Sequence, residues 1–280
     1  MKFYNKNKSL QDDILRLKNK TTIGFVPTMG ALHKGHLSLI NRAKKENEFI
    51  VVSIFVNPTQ FDKKEDLDQY PRTLEKDLEL LKSVDCDAVF VPEVDDIYND
   101  EILAVNFDFD GLEFEMEGKH RLGHFNGVGT IVKKLFEIVK PNKAYFGEKD
   151  FQQLQIIRNM VKKNHIPVDI IGCKIFREKD GLAMSSRNIR LSEDQRKMAP
   201  FIYKTLKKAK QKFKENSIAE IIRWVQKEFE NNSVLKLEYF EIANIETLKP
   251  SKRKRKKVKY RGFIAAFAGN VRLIDNIALN

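Results

Sequence analysis

The chain has 280 residues, 42% of them hydrophobic and 32% charged, an ordinary globular mix that excludes disorder along its whole length. At roughly 150 residues per domain this is one large domain or two moderate ones, with a core large enough to need no staples. The net charge is +12, but residues 249–261 alone hold nine Lys or Arg and no acid, which leaves +3 elsewhere. The basicity is therefore local, no global phosphate-binding surface is implied, and a nucleic-acid partner is not expected.

Short β-branched or aromatic runs alternate with longer helical patterns. The N-terminal Met1-Lys-Phe-Tyr leads into a polar stretch with no apolar h-region, so no secretory signal is expected. Thr21–Val26 reads as a strand, followed by a helix that begins near His33 and runs through 37–47. Residues 49–56 form a second strand, apolar enough to be buried on both faces and too short to span a membrane. Thr73–Ser83 is helical, with Leu74, Leu78 and Leu81 at helical spacing. Then come a strand at Asp87–Val91, a helix at Gly127–Val139, a strand at Lys143–Phe146, a helix at Phe151–Asn164 and a strand at Asp169–Cys173.

This alternation predicts an α/β fold, a Rossmann-like doubly wound parallel sheet. After about Arg177 the pattern becomes helices at 192–215 and 217–231, then short strands at 237–242, 262–267 and 271–275. That predicts a smaller C-terminal α+β domain, so the boundary is placed at 1–177 and 178–280. Cys86 and Cys173 are too few for a disulfide framework and sit beside apolar runs. They read as reduced thiols of a cytoplasmic protein.

The sharpest chemistry lies in Gly24-Phe-Val-Pro-Thr-Met-Gly-Ala-Leu-His-Lys-Gly-His36. It starts in a strand and ends in a helix, where free backbone N–H groups and the positive end of the helix dipole meet a phosphate. His33 and His36 share a face of the first helical turn and offer hydrogen bonds, with a positive charge when protonated. A metalloprotease site is disfavoured, because that motif needs histidines at i, i+4 with an intervening Glu. Tyr145-Phe-Gly-Glu-Lys-Asp150 also runs from a strand into a helix, offering Lys149 to a phosphate, Asp150 to a ribose hydroxyl and Gln153 to a polar substrate. Ser185, Ser186 and Arg187 follow an Asp180-Gly181 turn and make a phosphate clamp or, more plainly, a helix cap with an incidental Arg. Asn57 and Gln60 are neutral groups suited to hydroxyls and a carboxylate. Residues 123–128 line the same cleft or cap the next helix. The phosphate-loop and Gly-x-Gly-x-x-Gly motifs are both missing, which disfavours phosphate-loop kinases and nicotinamide enzymes.

Seven ordered motifs now carry a resemblance over nearly the whole chain: Pro27-Thr-Met-Gly-Ala-Leu-His-Lys-Gly-His36, Phe55-Val-Asn-Pro-Thr-Gln-Phe61, Tyr70-Pro-Arg-Thr73, Gly123-His-Phe-Asn-Gly-Val128, Phe146-Gly-Glu-Lys-Asp-Phe-Gln-Gln153, Asp180-Gly-Leu-Ala-Met-Ser-Ser-Arg-Asn188 and Arg272-Leu-Ile-Asp-Asn276. The chain resembles nucleotidyltransferases with a His-x-Gly-His signature and, more closely, the pantoate–β-alanine ligase family. The resemblance implies that ATP activates pantoate as pantoyl adenylate, releasing pyrophosphate. β-Alanine then displaces AMP, and magnesium accompanies the ATP phosphates.

The resemblance implies catalytic roles for His36, His33 and Lys149. ATP would be bound by Met29, Gly30, Ala31, Leu32, His33, Lys34, Gly35 and His36, by Gly147, Glu148, Lys149 and Asp150, by the backbone of Phe176, and by Met184, Ser185, Ser186 and Arg187. Gln60 and Gln153 would bind pantoate, and Gln60 later β-alanine. The stretch from Gln60 to Arg72 would gate the intermediate. A homodimer is implied, and no direct metal ligand is assigned; Asp77 is a thin candidate for approaching the magnesium. Leu122 stands where the family usually has Pro, and the run Lys252–Lys257 is denser in charge than the family shows. The same nucleotide site would also suit an adenylyltransferase or ligase acting on a different small carboxylic acid.

Overall fold

The computed structural model describes residues 1–17, 20–62, 64–98 and 101–280. In chain order the larger unit contains β1 (Lys2–Tyr4), α1 (Asn7–Leu17), β2 (Ile23–Thr28), α2 (Lys34–Glu46), β3 (Phe49–Ile54), α3 (Lys64–Asp68), α4 (Leu74–Ser83), β4 (Ala88–Phe90), α5 (Val94–Tyr98), α6 (Met116–His120), α7 (His124–Val139), β5 (Lys143–Gly147), α8 (Phe151–Lys163) and β6 (Asp169–Cys173). The smaller unit contains α9 (Glu193–Met198), α10 (Phe201–Lys212), α11 (Ile218–Glu230), β7 (Leu235–Asn244), β8 (Tyr260–Ala268) and β9 (Val271–Ala278).

The larger sheet has the order β1-β4-β3-β2-β5-β6, and every pairing is parallel. The chain winds outward from β2 in one direction through β3 and β4, then returns to the other side of β2 through β5. The gap between the carboxyl ends of β2 and β5 is thus the topological switch point, where open α/β sheets bind ligands. The period-two rule appears within each strand. Phe25, Val51 and Phe90 face one core layer with Leu10 and Ile14 of α1 and Val128 of α7. Their neighbours Val26, Val52 and Val89 face the opposite layer with Leu39 and Ile40 of α2 and Leu81 of α4. Both faces are covered by helices, which explains the near-continuous apolar run of β3.

The smaller unit is an antiparallel meander, β7-β8-β9, with α10 and α11 packed on it. Ala243, Leu248 and Phe263 of this unit join the core layer of α7 and α8. Among the described residues, no helix is long and apolar enough to cross a membrane.

Two expected helix bounds need correction, and the N-terminus adds two elements to which the sequence reading assigned nothing. The helix expected over 192–215 is two helices, because Pro200 has no N–H to continue α9 and instead starts α10. The polar N-terminus forms β1 and α1; the three-residue strand exists only through its pairing of Lys2, Phe3 and Tyr4 with Ala88, Val89 and Phe90. Helix α7 starts three residues before Gly127, behind the left-handed Gly123 (φ 78°). Its Gly127 sits against the 58–60 turn, where a Cβ would lie 2.1 Å from the Thr59 carbonyl oxygen.

Candidate active site

The carboxyl ends of β2 and β5 open into a cavity of about 780 Å³, closed on its far side by the smaller unit. The turn after β2 is a strained arch. Gly30 and Ala31 both take left-handed backbone, φ 80° and 48°, a conformation that costs a non-glycine residue about 1 kcal/mol. Asp77, in the first turns of α4 and 1% exposed, holds the arch from behind. Its carboxylate accepts the N–H of Ala31 at 2.9 Å, the N–H of Leu32 at 2.7 Å and the Thr73 hydroxyl at 3.2 Å. Both oxygens are thus engaged inside the protein and away from the cavity wall, so Asp77 is a support for the arch and not a carboxylate approaching a metal.

The arch delivers His33 and His36 to the cavity as a reciprocal cap on α2. The Gly35 N–H donates to His33 Nδ1 at 3.1 Å, and the His33 N–H donates to His36 Nδ1 at 3.3 Å. The two rings stack with centroids 4.0 Å apart. A ring nitrogen that accepts a backbone N–H carries no proton, so each neutral ring keeps its hydrogen on Nε2. Burial lowers the His33 pKa to about 4, helped by the charge of Lys149. Burial, then His33, then Lys149 hold His36 well below its ordinary value. The expected positive charge is therefore missing near neutral pH. The pair acts as two neutral N–H donors beside the Lys149 side chain.

Opposite them stand Gly147, Lys149 and Asp150, with Lys149 Nζ 3.4 Å from Asp150 Oδ1. Asn276 of β9 holds this turn by donating to the carbonyls of Glu148 and Lys149 at 2.9 and 2.8 Å. From the segment that follows β6 come Phe176, Met184, Ser185, Ser186 and Arg187. The Ser185 hydroxyl does cap the 186–190 turn by accepting the Arg187 N–H, and Ser186 Oγ donates to the Ala31 carbonyl at 3.1 Å, tying this loop to the arch.

Gln60 and Gln153 line the same cavity, as do Met29 and Gly35. Gln60 Nε2 meets Met29 Sδ at 2.9 Å, and its Oε1 accepts from Asn57 Nδ2 at 3.2 Å. Asn57 is 1% exposed and fully engaged, with Tyr98 and Thr59 donating to its Oδ1 and its Nδ2 also reaching the Gly127 carbonyl. It positions Gln60 and is spent internally. Gly30, Ala31, Leu32, Lys34 and Glu148 are not on the cavity wall. The first three shape the arch, Lys34 is exposed, and Glu148 pairs with Arg261 at 3.3 Å.

Several residues that the sequence motifs contained without a definite role support the site. His124 donates from Nδ1 to the Gln60 carbonyl at 2.7 Å and accepts from Arg121, so burial and Arg121 lower its pKa to about 4. The motif at 272–276 is the joint between the units. Arg272 grips Glu117 at 2.6 and 2.8 Å, and Arg177 forks onto Asp275 at 2.7 and 2.9 Å. Burial by itself would raise the Glu117 carboxyl, but Arg272 outweighs it and holds the pKa at about 2. One signal for Asp77 was readable: it stands four residues before Leu81, on the inward stripe of α4.

A parallel sheet whose switch point gathers a neutral histidine pair, a lysine and an arginine-bearing loop from the segment after β6 defines an α/β enzyme of the nucleotide-binding type. The family model described as pantoate-beta-alanine ligase matches residues 2–278, and the chain belongs to that family. It is 58% identical to the pantothenate synthetase of Christiangramia forsetii over 260 residues, 92% of each chain. The crystal structure of the pantothenate synthetase of Thermus thermophilus superposes with a TM-score of 0.92 at 40% identity, covering 100% of this chain and 99% of that one. The pantoate-beta-alanine ligase of Francisella tularensis, solved in complex with beta-gamma ATP and β-alanine, superposes with a TM-score of 0.82 at 37% identity, covering 100% and 98%.

Proposed function

We propose that this chain condenses pantoate with β-alanine at the cost of ATP, releasing AMP and pyrophosphate. The observation that carries the reading is the convergence on one cavity of His33, His36, Lys149, the 184–187 loop, Gln60 and Gln153. The pantoate carboxylate attacks the α-phosphorus and pyrophosphate leaves. The β-alanine amine then attacks the acyl carbon, and AMP leaves with the acyl–oxygen electron pair. Nε2–H of His33 and His36, Lys149 and Arg187 steady the phosphate charge, which is positioning and electrostatic catalysis. Met184 to Arg187 close over the phosphates, Phe176 contacts the nucleotide through its backbone, Asp150 holds the ribose, and Gln60 and Gln153 hold pantoate.

Among the described residues, no three His, Cys, Asp or Glu gather to hold a metal ion. A magnesium ion held mainly by phosphate oxygens and water would screen the triphosphate charge. We place the working division at 1–177 and 178–280, the second part closing over the site. The free, buried Cys86 and Cys173 suit a cytoplasmic enzyme. A homodimer would cover apolar surface such as Phe3 on the edge strand β1, 51% exposed. No relative described above favours a different carboxylic acid.

The test is exchange of labelled pyrophosphate into ATP without β-alanine. Exchange that requires pantoate, followed by AMP release on adding β-alanine, is the expected result, and His36→Ala abolishes it in a folded protein. Folded wild-type enzyme with no pantoate-dependent exchange would overturn the substrate assignment.

A further inference from the structure

The cavity rim between Phe61 and Tyr70 contains the five-residue helix α3, which buries none of its residues. Lys63 lies outside the described residues. A short helix with no apolar anchor needs another tether, and one carboxylate supplies it. Asp66 Oδ2 accepts from Arg187 Nη2 at 2.8 Å, and Asp66 Oδ1 accepts from Arg190 Nη1 at 3.1 Å. Arg190 Nη2 also donates to Gln69 Oε1 at 2.7 Å. Just beyond, Tyr70 lies 5.7 Å under the Arg187 guanidinium and packs edge-on against Phe61 at 5.7 Å.

These ions are largely desolvated: the side chains of Asp66, Arg187 and Arg190 are 27%, 25% and 20% exposed. A carboxylate that bridges two guanidiniums in such surroundings is stronger and more directional than a surface pair. Both arginines belong to the 186–190 turn, which Ser186 ties to the histidine arch. The bridge thus joins rim, phosphate loop and arch. It consumes one negative charge against two positive ones, so Arg187 keeps donors for a phosphate.

We propose that Asp66 is a positioning residue that holds the rim closed over the acyl-phosphate site by bridging Arg187 and Arg190, and thereby limits loss of the pantoyl adenylate to water. This rests on the function proposed above. In the leak reaction, the oxygen of water bonds to the acyl carbon. The acyl–oxygen bond to phosphate breaks, and AMP leaves with that electron pair. The two protons of water go to solvent, returning pantoate. Excluding water from a reactive acyl adenylate is the task of a closed rim.

The experiment measures ATP turnover to AMP with pantoate and without β-alanine, together with the ratio of AMP to pantothenate when β-alanine is present. Wild type turns over slowly without β-alanine and gives a ratio near one. Asp66→Asn keeps pantoate-dependent pyrophosphate exchange but raises the β-alanine-independent turnover by about tenfold, the effect of losing one charge-assisted hydrogen bond. Asp66→Glu restores coupling in part. Arg190→Gln, which breaks the bridge from the other side, shows the same leak and serves if Asp66→Asn does not fold. Intact exchange with no added leak in a folded Asp66→Asn or Arg190→Gln enzyme overturns the proposal. Absence of exchange in wild type is instead the failure of the function itself.

Discussion

Replacing Asp77 with Asn is a nearly isosteric change that removes the support of the histidine arch. The carboxylate serves two backbone donors, Ala31 N–H at 2.9 Å and Leu32 N–H at 2.7 Å, in a site 1% exposed. A carboxamide offers one oxygen, so one of those N–H groups faces an NH₂ and finds no acceptor. Loss of that charge-assisted bond, with a buried donor left unpaired, costs about 2–3 kcal/mol. Ala31, held at φ 48°, then relaxes out of its left-handed conformation and carries His33 and His36 with it. A displacement of that kind near 1 Å lowers turnover by about 100-fold. The assay is paired: urea unfolding midpoints of wild type and variant, and pantoate-dependent pyrophosphate exchange. A variant within about 0.5 kcal/mol of wild type, the range of neutral surface changes, and with unchanged exchange refutes the reasoning.

Stability should also follow the buried histidines. The folded pKa values of His33 and His124 lie near 4 against an ordinary 6.5, so the unfolded chain binds protons first as pH falls. Their stabilisation is fully present above 6.5 and lost towards 4; at pH 5 the loss is about 2 kcal/mol for each. Urea midpoints at pH 7 and pH 5 check this, and equal values would contradict it. Gly127→Ala drives a methyl to within 2.1 Å of the Thr59 carbonyl and 2.8 Å of the Gln60 Cα. It should cost about 1–3 kcal/mol and raise the KM for pantoate more than that for ATP, as steady-state kinetics would show. Arg272→Ala strands Glu117 and Glu238 beside the cavity, a loss of about 3–5 kcal/mol. Arg272→Lys should recover little of it in thermal unfolding, because Lys cannot make the fork.

Much of the larger unit was readable from local pattern. The apolar strands 49–54 and 169–173 and the helices at 74–83 and 151–163 stand within a residue or two of where their periodicity puts them, because each is long and regular enough to bury a face on its own account. What periodicity missed were elements whose stability comes from elsewhere in the chain. Strand β1 is three residues long and exists by pairing with β4, some 85 positions away in the sequence. Helices α3, α5 and α6 are five residues each, too short for any apolar period to register.

The site divides along the same line. The order of its motifs along the chain and their chemical types, histidines after β2, Lys149 after β5 and Ser185 to Arg187 after the parallel sheet, were determined by the sequence alone, since each is a contiguous strand-to-turn signal. That they face one another was decided by the switch point between β2 and β5 and by the 272–276 joint, which brings the smaller unit across it. Protonation belongs to the tertiary structure too. A sequence shows two histidines three residues apart, but only the packed arch, with backbone N–H groups aimed at Nδ1 and Lys149 nearby, makes them neutral donors. Supports such as Asp77 and Asp66 carry no motif of their own, and the motif of Asn57 does not reveal its supporting role, because their meaning lies in hydrogen bonds to residues far along the chain, which only folding brings within reach.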